Sequence, residues 1–225
     1  MDSATRLQYQ ETIDKAQEYY HKIGSLESTN QWELCEDSEG VTIHVRQDPV
    51  SGLRMTRAET IIEAKPHAVK DVLNLEEETL KWDRSLSTYE ILDHIEEFKI
   101  SRSLSTKIVM VTQREAILLF STVEKEGKSF LVVGKSFEHE DFPPDQNFVT
   151  AVVHLFAWHL IPIEDEPGRT KVVYILHVDP KGWIPTSLFN MGVQEEAKKV
   201  KLLKKFLESK EAENTLKRKK FELEN

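Results

Sequence analysis

The stretch DPKGWIPTSLFNMG, residues 179–192, joins two segments of different character. Before it runs the apolar segment Val172 to Val178, which reads as a strand. After it, residues 184–208 read as a long amphipathic helix. Its apolar stripe is Phe189, Val193, Ala197, Val200, Leu203 and Leu207, at spacings of three and four. Gly182 permits a sharp exit from the strand, because it lacks a Cβ. Trp183 carries a ring large enough to anchor the corner, and Pro185 presets φ for a first helical turn. A strand that turns directly into such a helix must lay the helix's stripe on something, and the preceding residues indicate what.

Upstream, residues 5–23 place Tyr9, Ile13, Ala16, Tyr20 and Ile23 at helical spacing, and Gly24 ends the run. QWELCED and VTIHVRQ flank Ser38-Glu39-Gly40 as a hairpin. Residues 53–64 form a third strand, and Pro66 opens a helical segment carrying Val69, Val72, Leu73, Leu75 and Leu80. Strands follow at about 87–97, 98–106, 113–125, 129–137, 148–162 and 169–179. Gly127, Pro143-Pro144 and Pro167-Gly168 mark connections between them. The order of helix, three strands, helix, six strands and helix is α+β. It implies one large, curved antiparallel sheet of about nine strands with the helices gathered on one side. Three regions result: an N-terminal helix over 1–27, the main domain over 28–208, and a charged extension over 209–225. A curved sheet closed by a helix has either a filled core or a hollow one.

Composition narrows the function. The chain has 225 residues, 39% hydrophobic and 31% charged, with a formal net charge of -9. That acidity argues against a nucleic-acid partner, since such proteins display a basic balance. Cys35 is the one cysteine, so no intrachain disulfide forms, and a reducing compartment is expected. The polar N-terminus MDSATRLQYQETIDK does not read as a secretory signal. The apolar stretch Phe148 to Ile163 is interrupted by His154 and His159 and falls short of the ~20 residues that span a bilayer. A soluble, cytoplasmic monomer is the expectation.

Motifs for catalysis are missing. GKS occurs at 127–129 and 134–136, but Thr122 and Ser129 stand where a phosphate-cradling loop needs glycine. His139, His154, His159 and His177 are scattered over strands without metal-ligand spacing. FEHEDF at 137–142 reads as a solvated loop, and no GxSxG elbow is present. No catalytic residue, metal or cofactor is therefore assigned. Two features remain. STKIVMVTQRE, 105–115, puts Ile108, Val109, Met110 and Val111 into a connection between strands. Either these residues continue a strand and are buried, or they form a lid or membrane-touching loop. The last helix clusters Lys198, Lys199, Lys201, Lys204 and Lys205. These are either a solvated face or an attraction for anionic lipid heads, worth ~1 kcal/mol for each lysine near the surface.

The element order and these features together resemble the START lipid-transfer family over about residues 28–208. The marks are GVTIHVRQ, LKWDR at 80–84, QRE at 113–115, DFPP, and VDPKGWIPTSLFN at the strand-to-helix junction. The resemblance implies a helix-grip fold, with a curved sheet wrapped around the C-terminal helix and an apolar tunnel for one lipid ligand. It implies a non-enzymatic carrier or sensor that touches membranes transiently. The gate would be the loop 107–112, closed by the helix residues Phe189, Val193, Ala197 and Val200. Lys198, Lys201 and Lys205 would face the membrane, and Met110 would be a flexible contact with lipid. Thr79 stands where phosphatidylcholine-binding relatives carry an arginine. Arg102 is similar to a charged residue on the strand before the gate in some sterol-binding relatives. Asp83 and Arg102 are the polar candidates inside the tunnel, where two buried charges would pair. The alternative is an enzyme on the same scaffold, a cyclase or hydrolase of small apolar substrates, which would need a convergent polar pair deep in the cavity.

Overall fold

The computed structural model describes residues 2–27, 31–184 and 186–209, without the side chains of 186–191, 193 and 194. Its elements are α1 (Ser3–Ile23), β1 (Glu33–Ser38), β2 (Val41–Gln47), β3 (Arg54–Ile62), α2 (Pro66–Leu73), α3 (Glu76–Trp82), β4 (Leu86–Ile95), β5 (Phe98–Ser105), β6 (Arg114–Lys125), β7 (Ser129–Ser136), β8 (Val149–Thr150), β9 (Val152–Pro162), β10 (Thr170–Asp179) and α4 (Thr186–Leu207). The sheet runs in the order β1-β2-β3-β10-β9-β7-β6-β5-β4, and each neighbouring pair on that path is antiparallel. The two-residue β8 pairs parallel with the start of β6. This is the α+β helix-grip arrangement, with α4 held against one face of the sheet.

The helical segment opened by Pro66 is two helices rather than one. Asn74 ends α2 by turning its side-chain amide back to the Lys70 carbonyl (2.9 Å), while its own carbonyl accepts from the Lys99 ammonium (3.1 Å). A side chain that bonds local backbone in this way offers an alternative to continuing the helix.

The helices are not gathered on one side. On the inner face, Ala197, Val200, Leu203, Phe206 and Leu207 of α4 share a buried cluster with Val41 and Ile43 of β2 and Ala58 and Ile62 of β3. On the outer face, Tyr9, Ile13, Ala16, Tyr20 and Ile23 of α1 are buried with Leu119, Leu131, Leu155, Val173 and Ile175. The reason lies in the central strands. Successive residues of a strand point to opposite faces, and β10 carries Val172, Tyr174 inward and Val173, Ile175 outward. A sheet apolar on both faces needs cover on both, and α1 supplies the outer layer.

Polar contacts pin α1 in place. Asp2 caps its N-terminus by accepting from the Ala4 and Thr5 amides. At the other end Arg57 donates to the Gly24 carbonyl (2.8 Å) and Trp32 to the Ile23 carbonyl (2.7 Å). Between them, Tyr19 hydrogen-bonds His177 Nδ1 (2.9 Å) and Tyr20 hydrogen-bonds His159 Nδ1 (2.8 Å).

Two irregularities shape the sheet. Gly134 lies so close to β6 that a Cβ there would stand 2.4 Å from the Leu119 carbonyl oxygen, so only glycine allows this approach. On β9, the register passes from Leu155 to Val153 opposite consecutive β10 residues and leaves His154 as an extra residue. This bulge turns Val153 to the same side as Phe156. Among the described residues, no helix is long and apolar enough to cross a membrane.

The outer face predicts acid sensitivity. Burial pushes His159 and His177 down to about 4 from an ordinary 6.5, so both are neutral when folded. Because the unfolded chain binds protons more readily, stability is fully present above pH 6.5 and is lost as pH falls from there to about 4. The thermal midpoint is expected to drop across that window, and the double variant His159→Gln, His177→Gln to flatten the dependence. An equally steep dependence in the variant would contradict this account of α1 docking.

Candidate functional site

Between α4 and the inner face lies a cavity of about 880 Å³. That is in the upper part of the ~300–1,000 Å³ range of small-molecule pockets. The residues of β5 and β6 explain the space. β5 turns Ser101, Ser103 and Ser105 inward, and β6 turns Ala116 inward, all too short to reach the helix. The far wall is large and apolar, with Leu118 and Phe120 from β6, Phe156 and Trp158 from β9 and Tyr174 from β10. Trp82 closes the α3 end, standing edge-on to Trp158 at 6.0 Å between ring centroids.

A buried ion pair sits in this wall. Lys199 of α4 places its ammonium 3.1 Å from Asp83 Oδ2 and 2.6 Å from Glu196 Oε2. Asp83 Oδ1 accepts from the Ser85 amide (3.0 Å) and hydroxyl (2.6 Å). Burial alone would push the ammonium down, but Asp83 and Glu196 outweigh it and hold Lys199 well above the ordinary lysine range. Its nitrogen also stands 5.6 Å from the centre of the Tyr174 ring. Burial drives the Tyr174 phenol far up, and Tyr89 up to about 12, so both line the cavity as neutral hydroxyls.

Asp83 therefore lies in the cavity wall, whereas Arg102 does not. Arg102 alternates with Ser101 and Ser103 and faces the other side of the sheet. There it pairs with Glu115 (3.0 Å) and donates to the Pro143 carbonyl (2.9 Å). The expected Asp83–Arg102 pair is replaced by Asp83–Lys199. On α4, Ala197 and Val200 pack into the core cluster rather than line the cavity. The side chains of Phe189 and Val193, and Pro185, lie outside the described residues. The cationic face expected of Lys198, Lys201 and Lys205 is a set of ion pairs. Their partners are Glu195 at 2.7 Å, Glu36 at 2.7 Å and Glu39 at 3.8 Å respectively. The last two carboxylates come from the β1–β2 hairpin, far away in sequence.

The connection 106–113 forms one rim of the cavity. Ile108 and Val111 bridge across a tight turn and line the cavity, while Val109 and Met110 at its tip are 86% and 87% exposed. Met110 has φ of 67°, a left-handed conformation that a side chain disfavours. Beside this rim stands the β10–α4 junction. Gly182 takes φ of 64° there, as the sharp exit requires. Trp183, expected to anchor the corner, is instead 75% exposed. The anchor is Arg114, which donates to the carbonyls of Pro180 (3.1 Å), Lys181 (3.0 Å) and Trp183 (3.4 Å) and also to that of Thr112. One guanidinium thus clasps the turn to the start of α4. The planar fork of arginine, with five N–H donors, suits it to several carbonyls at once. The inward serines were readable from the alternation of ISRSLS. Lys199, Trp82 and Arg114 were not, because their partners are set by tertiary contacts.

A sheet gripping one helix around an internal cavity defines the helix-grip class of binding folds. Residues 11–212 match the START domain family, and the chain belongs to that family. It is similar to StAR-related lipid transfer protein 5 of Bos taurus, 24% identical over 193 residues, which cover 84% of this chain and 88% of the relative. It is also similar to StAR-related lipid transfer protein 6 of Homo sapiens, 22% identical over 169 residues, 74% and 77% of the two chains. Among solved structures, human StAR-related lipid transfer protein 5 matches with a TM-score of 0.78 at 20% identity, covering 91% of this chain and 97% of that one.

The clasp makes a prediction. Arg114→Met keeps most of the side chain's bulk and loses every donor, at a cost on the order of 2 kcal/mol. Amide hydrogen exchange at 106–112 and at 180–184 is expected to accelerate together. Acceleration at one segment alone, or at neither, would contradict the clasp.

Proposed function

We propose that this protein is a non-enzymatic carrier or sensor that holds one hydrophobic lipid in the cavity beneath α4. The observation that carries this reading is the 880 Å³ space itself, walled by Leu118, Phe120, Phe156 and Trp158. Each methylene moved out of water is worth ~0.8 kcal/mol. A long-chain lipid therefore does not leave a bilayer unaided at a useful rate, but an apolar cavity shelters the same surface nearly as well. Exchange between membrane and protein is then close to balanced, and the protein needs only an opening at its rim.

The rim supplies one. The turn 107–112 and the junction at Trp183 hold the exposed apolar groups next to the cavity, and the Arg114 clasp joins them. This supports opening by movement of the turn against α4, in transient contact with a membrane. The carrier reading is preferred to a cyclase or hydrolase because the charged pair in the cavity wall is already matched: Asp83 and Lys199 satisfy each other.

Native mass spectrometry and solvent extraction of the purified protein test the reading. One lipid per chain is expected, and the double variant Ala116→Trp, Val153→Trp, which fills the space, is expected to lower occupancy at least about tenfold. A protein that takes up no lipid under any loading condition would overturn it. Met110→Asp should slow transfer between liposomes without lowering occupancy, because aspartate tolerates the left-handed turn but not the membrane. Unchanged transfer would remove the turn from the mechanism.

A further inference from the structure

The polar groups of the cavity wall divide into those with partners and those without. Lys199 is fully engaged by two carboxylates, and Asp83 by Lys199 and both donors of Ser85. Among the described residues lining the cavity, Asp83 and Lys199 are the buried charges, and the other charged groups are only partly buried or exposed at its edge. Three further buried atoms of the lining have no hydrogen-bond partner: the Trp82 indole Nε1, the Tyr174 hydroxyl and, on β3, the Thr56 hydroxyl. Trp82 is 5% exposed and Tyr174 fully buried. The Lys199 ammonium lies over the Tyr174 ring and can act on its hydroxyl only as a donor, so the phenol's own proton has no acceptor. Trp82 and Tyr174 both border the cavity and both touch Trp158, whose ring centre lies 6.0 Å from that of Trp82 and 4.3 Å from that of Tyr174.

These atoms state what a guest must bring. An indole N–H is a donor only, and the tyrosine hydroxyl has a proton to give. A buried donor left without an acceptor is a standing penalty that a ligand oxygen removes. An anionic oxygen is a poor choice for that role. Lys199 has Asp83 and Glu196 around it, so one cation already faces two carboxylates. A carboxylate or phosphate brought here would be the third negative charge around that single ammonium, in a site with little water to screen it.

Resting on the lipid-carrier reading above, we infer that the polar end of the ligand is one uncharged oxygen, a hydroxyl or carbonyl on an otherwise apolar body. It sits against Trp82 and Tyr174, while the Asp83–Lys199–Glu196 cluster excludes carboxylate and phosphate head groups. Lys199 acts here as a specificity residue through its saturated partners, and it belongs to the helix that covers the cavity. Head-group selection and closure of α4 thus share the same ion pair.

Two matched pairs of probes test this with the unmodified protein: oleyl alcohol against oleate, and cholesterol against cholesterol sulfate. Within each pair the apolar body is constant. The neutral member is expected to bind at least about tenfold more tightly, equivalent to about 1.4 kcal/mol. Asp83→Asn with Glu196→Gln leaves the Lys199 ammonium unmatched and is expected to shrink or reverse the preference. Trp82→Phe is expected to weaken oleyl alcohol about fivefold or more while leaving octadecane unchanged. Equal or tighter binding of the anionic members by the unmodified protein would overturn the inference and leave the carrier reading standing. A Trp82→Phe variant with an unchanged ratio of alcohol to alkane affinity would do the same for the indole contact. Uptake of no probe at all would overturn both readings.

Discussion

The cavity exists because α4 has one apolar stripe and the sheet it covers is wider than that stripe. Ala197, Val200, Leu203, Phe206 and Leu207 settle against β2 and β3 in the inner cluster. That burial fixes the helix on one flank of the inner face. On the opposite flank, Ser101, Ser103 and Ser105 of β5 and Ala116 of β6 bring only short side chains toward the same interior. The filled and hollow outcomes for a covered sheet are therefore both realised, side by side. Packing near β3 supplies stability, and the unfilled remainder supplies a place for a guest. Cavities usually cost stability because their lining loses contact partners, and a ligand of suitable shape restores those contacts.

The same geometry explains why the charged side of α4 is tolerated inside. Glu196 and Lys199 lie on the cavity side of a helix whose apolar stripe is already committed to the core. A buried ion pair is weak evidence for stability, since desolvation offsets much of its attraction. Its effect is on selectivity. Removing one partner alone would leave an unmatched buried charge, which is strongly unfavourable, so the pair resists rearrangement by a charged head group. The exposed turn at Val109 and Met110 and the Arg114 clasp belong to the opposite requirement, that a closed interior must open at one edge.

Much of this architecture was legible in the residues. Helical spacing from Tyr9 to Ile23, strand patterns through β10 and the Gly182 junction place the main elements, and ISRSLS marks the short-sided strand that leaves the space. What was not legible depends on pairing at a distance. The stripe on α1 announces burial but not which face of the sheet it covers. Lys201 and Lys205 of α4 read as part of a cationic surface because Glu36 and Glu39, their partners from β1 and its turn, lie about 165 positions earlier. Arg102 looked suitable for the interior, yet strand parity sends it outward beside Glu115. Lys199 carried no local sign of being buried, and neither did the orphaned donors of Trp82 and Tyr174.

The central claim is that a guest occupies the space beneath α4, and a crystal structure of the protein loaded from a lipid extract tests it most directly. The account predicts continuous elongated electron density bounded by Phe120, Trp158 and the Ser101–Ser103 edge, ending beside Trp82 and Tyr174. An interior filled by the protein's own side chains, with α4 collapsed onto β4 to β6, would contradict it.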